Sequence, residues 1–172
     1  MSEKTITIFG TAEAEEGGDV YALAFETGRA LAEAGFTIAN GGYGGTMLAA
    51  AKGAADAGGK VIGVTCSAYG RTANKYISRE IITCSLDERL DTLVKLGRAY
   101  VVLPGGTGTL LELAKVWELK NKGFLEKNKP IILVGKFWLP LLELIAACDP
   151  ESIGYLQQAD RPQQIKELMA DF

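Results

Sequence analysis

In the stretch Ala99-Tyr100-Val101-Val102-Leu103-Pro104-Gly105-Gly106-Thr107-Gly108-Thr109-Leu110-Leu111-Glu112, an apolar run stops at a proline. It passes through three glycines and two threonines, then resumes as a periodic apolar segment. The run predicts a buried strand, Ala99–Leu103. The later Leu110, Leu111, Leu113, Val116, Trp117 and Leu119 predict a helix starting near Thr107, with an apolar face wide enough to be buried on more than one side. A strand that hands over to a helix through glycine is the repeating unit of a parallel α/β sheet. The same pattern recurs outward in both directions. Strands are predicted at Thr5–Gly10, Thr37–Asn40, Lys60–Thr65, Glu80–Thr83 and Pro130–Val134. Helices are predicted at Val20–Ala34, Thr46–Ala57, Ser85–Leu96, Trp138–Ala147 and Pro162–Ala170, several ended by glycine at the expected C-terminal position. Residues 1–172 show no repeat and no low-complexity linker, so a single α/β domain with a mostly parallel sheet is expected.

Composition narrows the chemistry. The chain has 172 residues with 48% hydrophobic content, and no apolar run approaches the ~20 residues of a membrane span. Lysine plus arginine number 18 against 21 acidic residues, a net charge of −3, which lacks the basic excess of a nucleic-acid binder. Histidine is absent, which removes serine–histidine triads, cysteine–histidine dyads and histidine-ligated metals together. Cys66, Cys84 and Cys148 are odd in number and widely spaced, and are expected to be reduced, mostly buried thiols. No charged and apolar leader precedes the first strand, so cytoplasmic residence is expected. Glycine, at 21 residues, is enriched to about 12% against about 7% in ordinary proteins.

Much of that glycine lies in two segments, Gly41-Gly42-Tyr43-Gly44-Gly45-Thr46 and Pro104–Thr109, each placed where a strand meets a helix. In an open parallel sheet this is the carboxyl edge, where ligands bind, and the bare amides of a helix N-terminus attract anions. Tight turns alone would also use such glycines. Two of them on one edge, with Thr46, Thr107 and Thr109 able to add hydroxyls, favour a phosphate-bearing ligand. Neither segment follows the dinucleotide spacing Gly-x-Gly-x-x-Gly or the P-loop Gly-x-x-x-x-Gly-Lys-Ser/Thr.

Length arithmetic places two charged residues at the same edge. Helix Ser85–Leu96 is about 18 Å long and strand Ala99–Leu103 returns about 16 Å, so the start of the helix lies level with the end of the strand. Arg89 and Glu112 should therefore converge beside the glycine turns. Arg89 could equally pair at the surface with Asp87, Glu88 or Asp91. Glu112 sits among leucines, where a carboxylate is desolvated unless something binds it, although helix-dipole complementarity also favours an acid there. The long loop Cys66–Arg79 carries Arg71, Asn74 and Lys75, either as a solvated segment or as a cover over a ligand.

The segment Pro104–Glu112 fits Pro-Gly-Gly-x-Gly-Thr-x-x-Glu and resembles the signature of the LOG (Lonely Guy) family, long labelled "possible lysine decarboxylase". Glu88-Arg89 resembles that family's Glu-Arg-Lys element, and Gly41–Met47 its glycine-rich phosphate loop. The resemblance runs from about Thr5 to Val134. It implies a Rossmann-like three-layer sandwich, a homodimer, and hydrolysis of a nucleoside 5′-monophosphate to free base and ribose 5-phosphate, with cytokinin nucleotides or AMP as substrates. It carries over Arg89 and Glu112 as the catalytic pair. Gly44, Gly45, Thr46, Gly105, Gly106, Thr107, Gly108 and Thr109 would be the phosphate site, and Gly10, Thr11 and Asn74 further ligand contacts. No metal or cofactor is implied, and the partner is a small-molecule nucleotide.

The chain departs from the pattern at Leu90, Leu93, Gly10-Thr11-Ala12, Asn40 and Gly45-Thr46-Met47. The same superfamily includes molybdenum-cofactor carrier proteins, which bind a phosphorylated pterin without hydrolysing it. Lysine decarboxylation itself would need pyridoxal phosphate on a lysine, commonly with a histidine stacked on the ring, and the chain has no histidine. The apolar faces of Leu110–Leu119 and Phe137–Leu144 are compatible with helix-mediated dimerisation or with core burial.

Overall fold

The computed structural model describes residues 4–126 and 128–169. Its strands are β1 (Thr5–Phe9), β2 (Thr37–Asn40), β3 (Val61–Cys66), β4 (Arg79–Thr83), β5 (Ala99–Val102), β6 (Ile131–Val134) and β7 (Leu156–Ala159). The helices are α1 (Asp19–Glu33), α2 (Thr46–Asp56), α3 (Leu86–Leu96), α4 (Thr107–Asn121), α5 (Leu139–Ala146) and α6 (Pro162–Leu168). Ala170, the expected end of the last helix, lies outside the described residues. The sheet is parallel at every pairing, in the order β4-β3-β2-β1-β5-β6-β7.

The strands divide the core in two. Ile6 and Ile8 of β1 and Val101 of β5 face α1, α2 and α6, whereas Phe9, Tyr100 and Val102 face α3, α4 and α5. Burial on both faces is why β5 and β6 read as near-continuous apolar runs, whereas β1 keeps buried threonines beside its isoleucines. On the first face α1 and α2 cross closely. A Cβ on Gly28 would lie 2.0 Å from the Ala50 carbonyl oxygen, and one on Gly53 2.0 Å from that of Phe25. Part of the glycine excess therefore serves helix packing and not the ligand edge.

On the second face, Tyr100 donates its hydroxyl to Val94 O at 2.7 Å and Thr7 Oγ1 donates to Leu93 O at 2.9 Å. These two bonds lock the C-terminal turn of α3 onto the sheet. Ser85 caps the other end, accepting from the Glu88 amide. The helix is thereby held so that its first turns reach the carboxyl edge, as the length arithmetic requires.

Several expectations are corrected. β7 was not anticipated, because Leu156-Gln157-Gln158-Ala159 is a polar edge strand whose two glutamines are exposed. Within the single chain α4 is buried along Thr109, Leu113, Val116 and Trp117, so the second buried side expected of it is not supplied by this chain's own core. Leu110 and Leu111 remain exposed, because α4 lies in an outer layer beside α5. Of the cysteines only Cys66, inside β3, is buried. Cys84 lies in the turn before α3 and Cys148 just past α5, both exposed. The long loop is also shorter than expected, since β3 runs to Cys66 and a single 3₁₀ turn covers Ser67–Tyr69.

Candidate active site

Strand order reverses around β1, with β2 on one side and β5 on the other. The chain leaving β1 and the chain leaving β5 diverge there, the position where open α/β sheets form a ligand crevice. A cleft of about 300 Å³ opens at this point, bounded by residues 10–13 after β1, Tyr43 and Met47, Tyr69 and Arg71, Arg89, and residues 106–109 with Glu112.

One wall is the start of α4. Its N-cap is Gly106, which has no side chain to satisfy the first-turn amides, so the Thr107, Gly108 and Thr109 N–H groups lack helical partners. Gly105 is required by a close approach, since a Cβ there would stand 2.1 Å from Thr109 Oγ1. The outcome is a bare, positively polarised helix end facing the cleft.

The start of α2 is arranged differently. The Thr46 amide and the Thr46 hydroxyl both donate to Thr11 O, each at 2.9 Å. Gly45, at φ +60°, packs against Thr11 and Ala12 closely enough that a Cβ would fall 2.4 Å from their backbone. Gly44 faces a neighbouring shallow recess instead of the cleft. Gly45 and Thr46 thus pack behind the first loop, and the bare amides that face the cleft are those of α4. Gly10 and Thr11 line the cleft directly, with the Thr11 amide donating to Pro104 O at 3.3 Å, so the first loop bridges both glycine turns. Asn74 does not reach the cleft. Its Nδ2 donates to Gly42 O at 3.1 Å and Tyr43 O at 2.9 Å, and this anchors the long loop.

Arg89 and Glu112 do converge. Arg89, only 8% exposed, is not a surface cation. Its Nε donates to Val64 O at 2.8 Å and its Nη2 to Gly41 O at 3.2 Å. A Cβ on Gly41 would lie 1.8 Å from Nη2, so only glycine admits the guanidinium here. The guanidinium also rests near the Tyr43 ring, 5.6 Å from its centroid, and the Tyr69 ring, at 5.9 Å. Its Nη1 faces Glu112 Oε1 at 3.9 Å, an ion pair too long to be a hydrogen bond. Burial pushes the Glu112 carboxyl up from 4.5 to about 7, against the opposing pull of Arg89.

Tyr43, Met47 and Tyr69 are not among the site residues expected from the sequence, yet they line the cleft. Tyr43 is fixed by its hydroxyl, which accepts from the Cys66 amide at 2.8 Å and bonds Cys66 O at 3.2 Å. The available signal was their position, one inside the first glycine turn and one in the long loop. Among the described residues no cluster of three or more acidic or cysteine side chains is placed to hold a metal ion, and no helix is long and apolar enough to cross a membrane.

The fold belongs to a recognised group of α/β proteins. The family model described as "Possible lysine decarboxylase" matches residues 47–169, and the chain belongs to that family. A protein of Rhodococcoides fascians named cytokinin riboside 5′-monophosphate phosphoribohydrolase is 30% identical over 168 residues, 94% of this chain and 83% of that one. A protein of the same name from Mycobacterium tuberculosis is 36% identical over 116 residues, 65% of this chain and 60% of that one. The resemblance to the LOG family therefore stands. Among solved structures, the molybdenum cofactor binding protein of Rippkaea orientalis superposes with a TM-score of 0.82 at 26% identity, covering 99% of this chain and 98% of that one.

Proposed function

We propose that the chain hydrolyses the N-glycosidic bond of a nucleoside 5′-monophosphate in the cytoplasm, releasing free base and ribose 5-phosphate. The observation that carries this reading is Glu112, a carboxyl brought to about 7 by burial and set 3.9 Å from Arg89, next to a bare helix N-terminus. The relatives named as phosphoribohydrolases support the same class of chemistry.

In this reading the Thr107, Gly108 and Thr109 amides hold the phosphate, and the ribose lies over Glu112. Cleavage develops positive charge at the anomeric carbon, which the ionised Glu112 carboxylate stabilises. A water attacks that carbon while the carbon–nitrogen bond breaks and its electron pair leaves with the base. Glu112 accepts the proton of the water and gives it up again to the departing base, so one water is consumed and the carboxylate is regenerated. A carboxyl near 7 is matched to such a transfer at neutral pH. Arg89 cannot serve as the acid, since a guanidinium does not give up its proton in a protein. It favours the ionised carboxylate by its charge and offers Nη1 to the substrate.

The test is purified protein incubated with a nucleoside monophosphate panel and chromatographic detection of released base. AMP should yield adenine and ribose 5-phosphate, and Glu112→Gln should abolish the yield. A Glu112→Gln rate equal to wild type sinks the role.

A second reading, a carrier that binds a phosphorylated cofactor without cleaving it, is favoured by the near-complete superposition on the Rippkaea protein. Mass spectrometry of ligand released from freshly purified protein separates the two, because a carrier retains stoichiometric cofactor. Self-association is expected through α4 and α5, where Leu110, Leu111 and Leu144 are exposed. Sedimentation of the purified protein gives the stoichiometry.

A further inference from the structure

Tyr69 is the only exposed aromatic side chain that borders the cleft among the described residues. Tyr43 is buried, and the exposed Phe124, Phe137 and Tyr155 lie elsewhere. The residue is 43% exposed, unlike Tyr43, which also packs beside Arg89. It is nevertheless held in place. The 3₁₀ turn Ser67–Tyr69 closes on Gly70 in the left-handed conformation at φ +61°, and Ser67 Oγ donates to Thr83 O at 3.2 Å. The ring also leans on Tyr43, with centroids 6.0 Å apart, and Tyr43 is itself anchored at Cys66. A rigidly mounted aromatic face turned to solvent at a cleft mouth, with its inner neighbours already packed, is surface left for a planar ligand.

Its position relative to the chemistry fits. The Arg89 guanidinium stands 5.9 Å from the Tyr69 centroid and its Nη1 is 3.9 Å from Glu112, so the ring and the carboxylate lie within one nucleoside's length. The first turn of α4, residues 107–109, lines the same cleft. Arg71, two residues further along the same loop, also lines the cleft and has no ion-pair partner among the described residues, leaving its donors for acceptor atoms on a ring edge.

We propose that Tyr69 is the stacking surface for the planar heterocycle of the phosphorylated ligand, and so determines specificity at this site. The inference rests on the reading of the cleft as a phosphate-ligand site and applies equally to a purine or a pterin ring, whether or not the bond to that ring is cleaved.

Binding is measured by calorimetry on Glu112→Gln protein, so that AMP is not consumed, with AMP and ribose 5-phosphate as probes. AMP should bind more tightly than ribose 5-phosphate. Adding Tyr69→Leu should weaken AMP roughly 5- to 150-fold, the fold-change equivalent of 1–3 kcal/mol for a stacked base, and leave ribose 5-phosphate within about twofold. Tyr69→Trp should restore AMP binding. The proposal is overturned if AMP binds no more tightly than ribose 5-phosphate, if Tyr69→Leu leaves AMP binding unchanged, or if it weakens both probes alike. Failure of the hydrolase reading shows separately, as absence of adenine release by the wild-type protein. A pterin monophosphate run beside AMP tells which ring the surface prefers.

Discussion

Glu112→Gln should make the protein more stable while making it inactive, and the gain should depend on pH. The unfolded chain releases the Glu112 proton near 4.5, whereas the folded chain keeps it until about 7. Between those values the native state binds more protons than the unfolded state, so folding stability falls as pH rises. The loss is absent below the unfolded value and complete above the folded one. At 1.36 kcal/mol per pH unit, the gap amounts to up to about 3 kcal/mol. Glutamine keeps the shape of the side chain and carries no such cost. Urea unfolding followed by circular dichroism at about pH 4 and about pH 8 should show nearly equal stabilities at the lower pH. At the higher pH the variant should be ahead by up to about 3 kcal/mol, or roughly 6–12 °C in Tm for a domain of this size. A difference that stays constant with pH, or a variant that is the less stable protein at pH 8, would refute the assignment of Glu112 as a desolvated acid.

Three further outcomes are expected. If Glu112 is the proton acceptor, kcat/KM for AMP rises with pH through about 7, and a flat profile across that range excludes it from the proton transfer. Gly41→Ala places a methyl 1.8 Å from Arg89 Nη2, so kcat/KM should fall at least about tenfold while the protein still folds; an unaffected rate means that the arginine position is immaterial. Gly28→Ala is the converse case. Its methyl would meet the Ala50 carbonyl at 2.0 Å, far from the cleft, so unfolding measurements should show a loss of roughly 1–3 kcal/mol with kcat/KM retained.

The sheet and the pairing of Arg89 with Glu112 were legible because both follow from regular geometry: rise per residue, alternation on a buried strand, and a glycine stop at a helix end. What escaped detection was carried by backbone groups and by direction. Arg89 is held by the carbonyls of Val64 and Gly41, which leave no mark on the composition, so its burial was not readable. Thr46 offers a hydroxyl suited to phosphate, but the fold points it at Thr11 O. Asn40, a departure from the family's glycine, proves structural. Fully buried, it donates to Met47 O at 3.0 Å and accepts from the Gly42 amide at 2.8 Å, holding the first glycine turn. β7 escaped because an edge strand has one neighbour and needs little apolar side-chain surface.

The hydrolase and carrier readings share the α4 amides, so the balance between them rests on Glu112. A cleft that only retains a phosphate is not helped by a carboxylate beside it, since like charges repel and burial raises the cost of ionisation. Nor does the pair with Arg89 repay that cost as a structural tie, because 3.9 Å is beyond hydrogen-bond range and a buried ion pair contributes stability only with close geometry. The fold nevertheless makes room for the pair, giving up a side chain at Gly41 so that the guanidinium fits. Local arrangements that weaken a fold persist where they serve chemistry, and perturbed carboxyls concentrate at such places. That argument favours turnover over carriage, and it locates the difference between the two in one titratable oxygen pair: a carrier built on this cleft would function as well or better with glutamine at 112, whereas a hydrolase would not function at all.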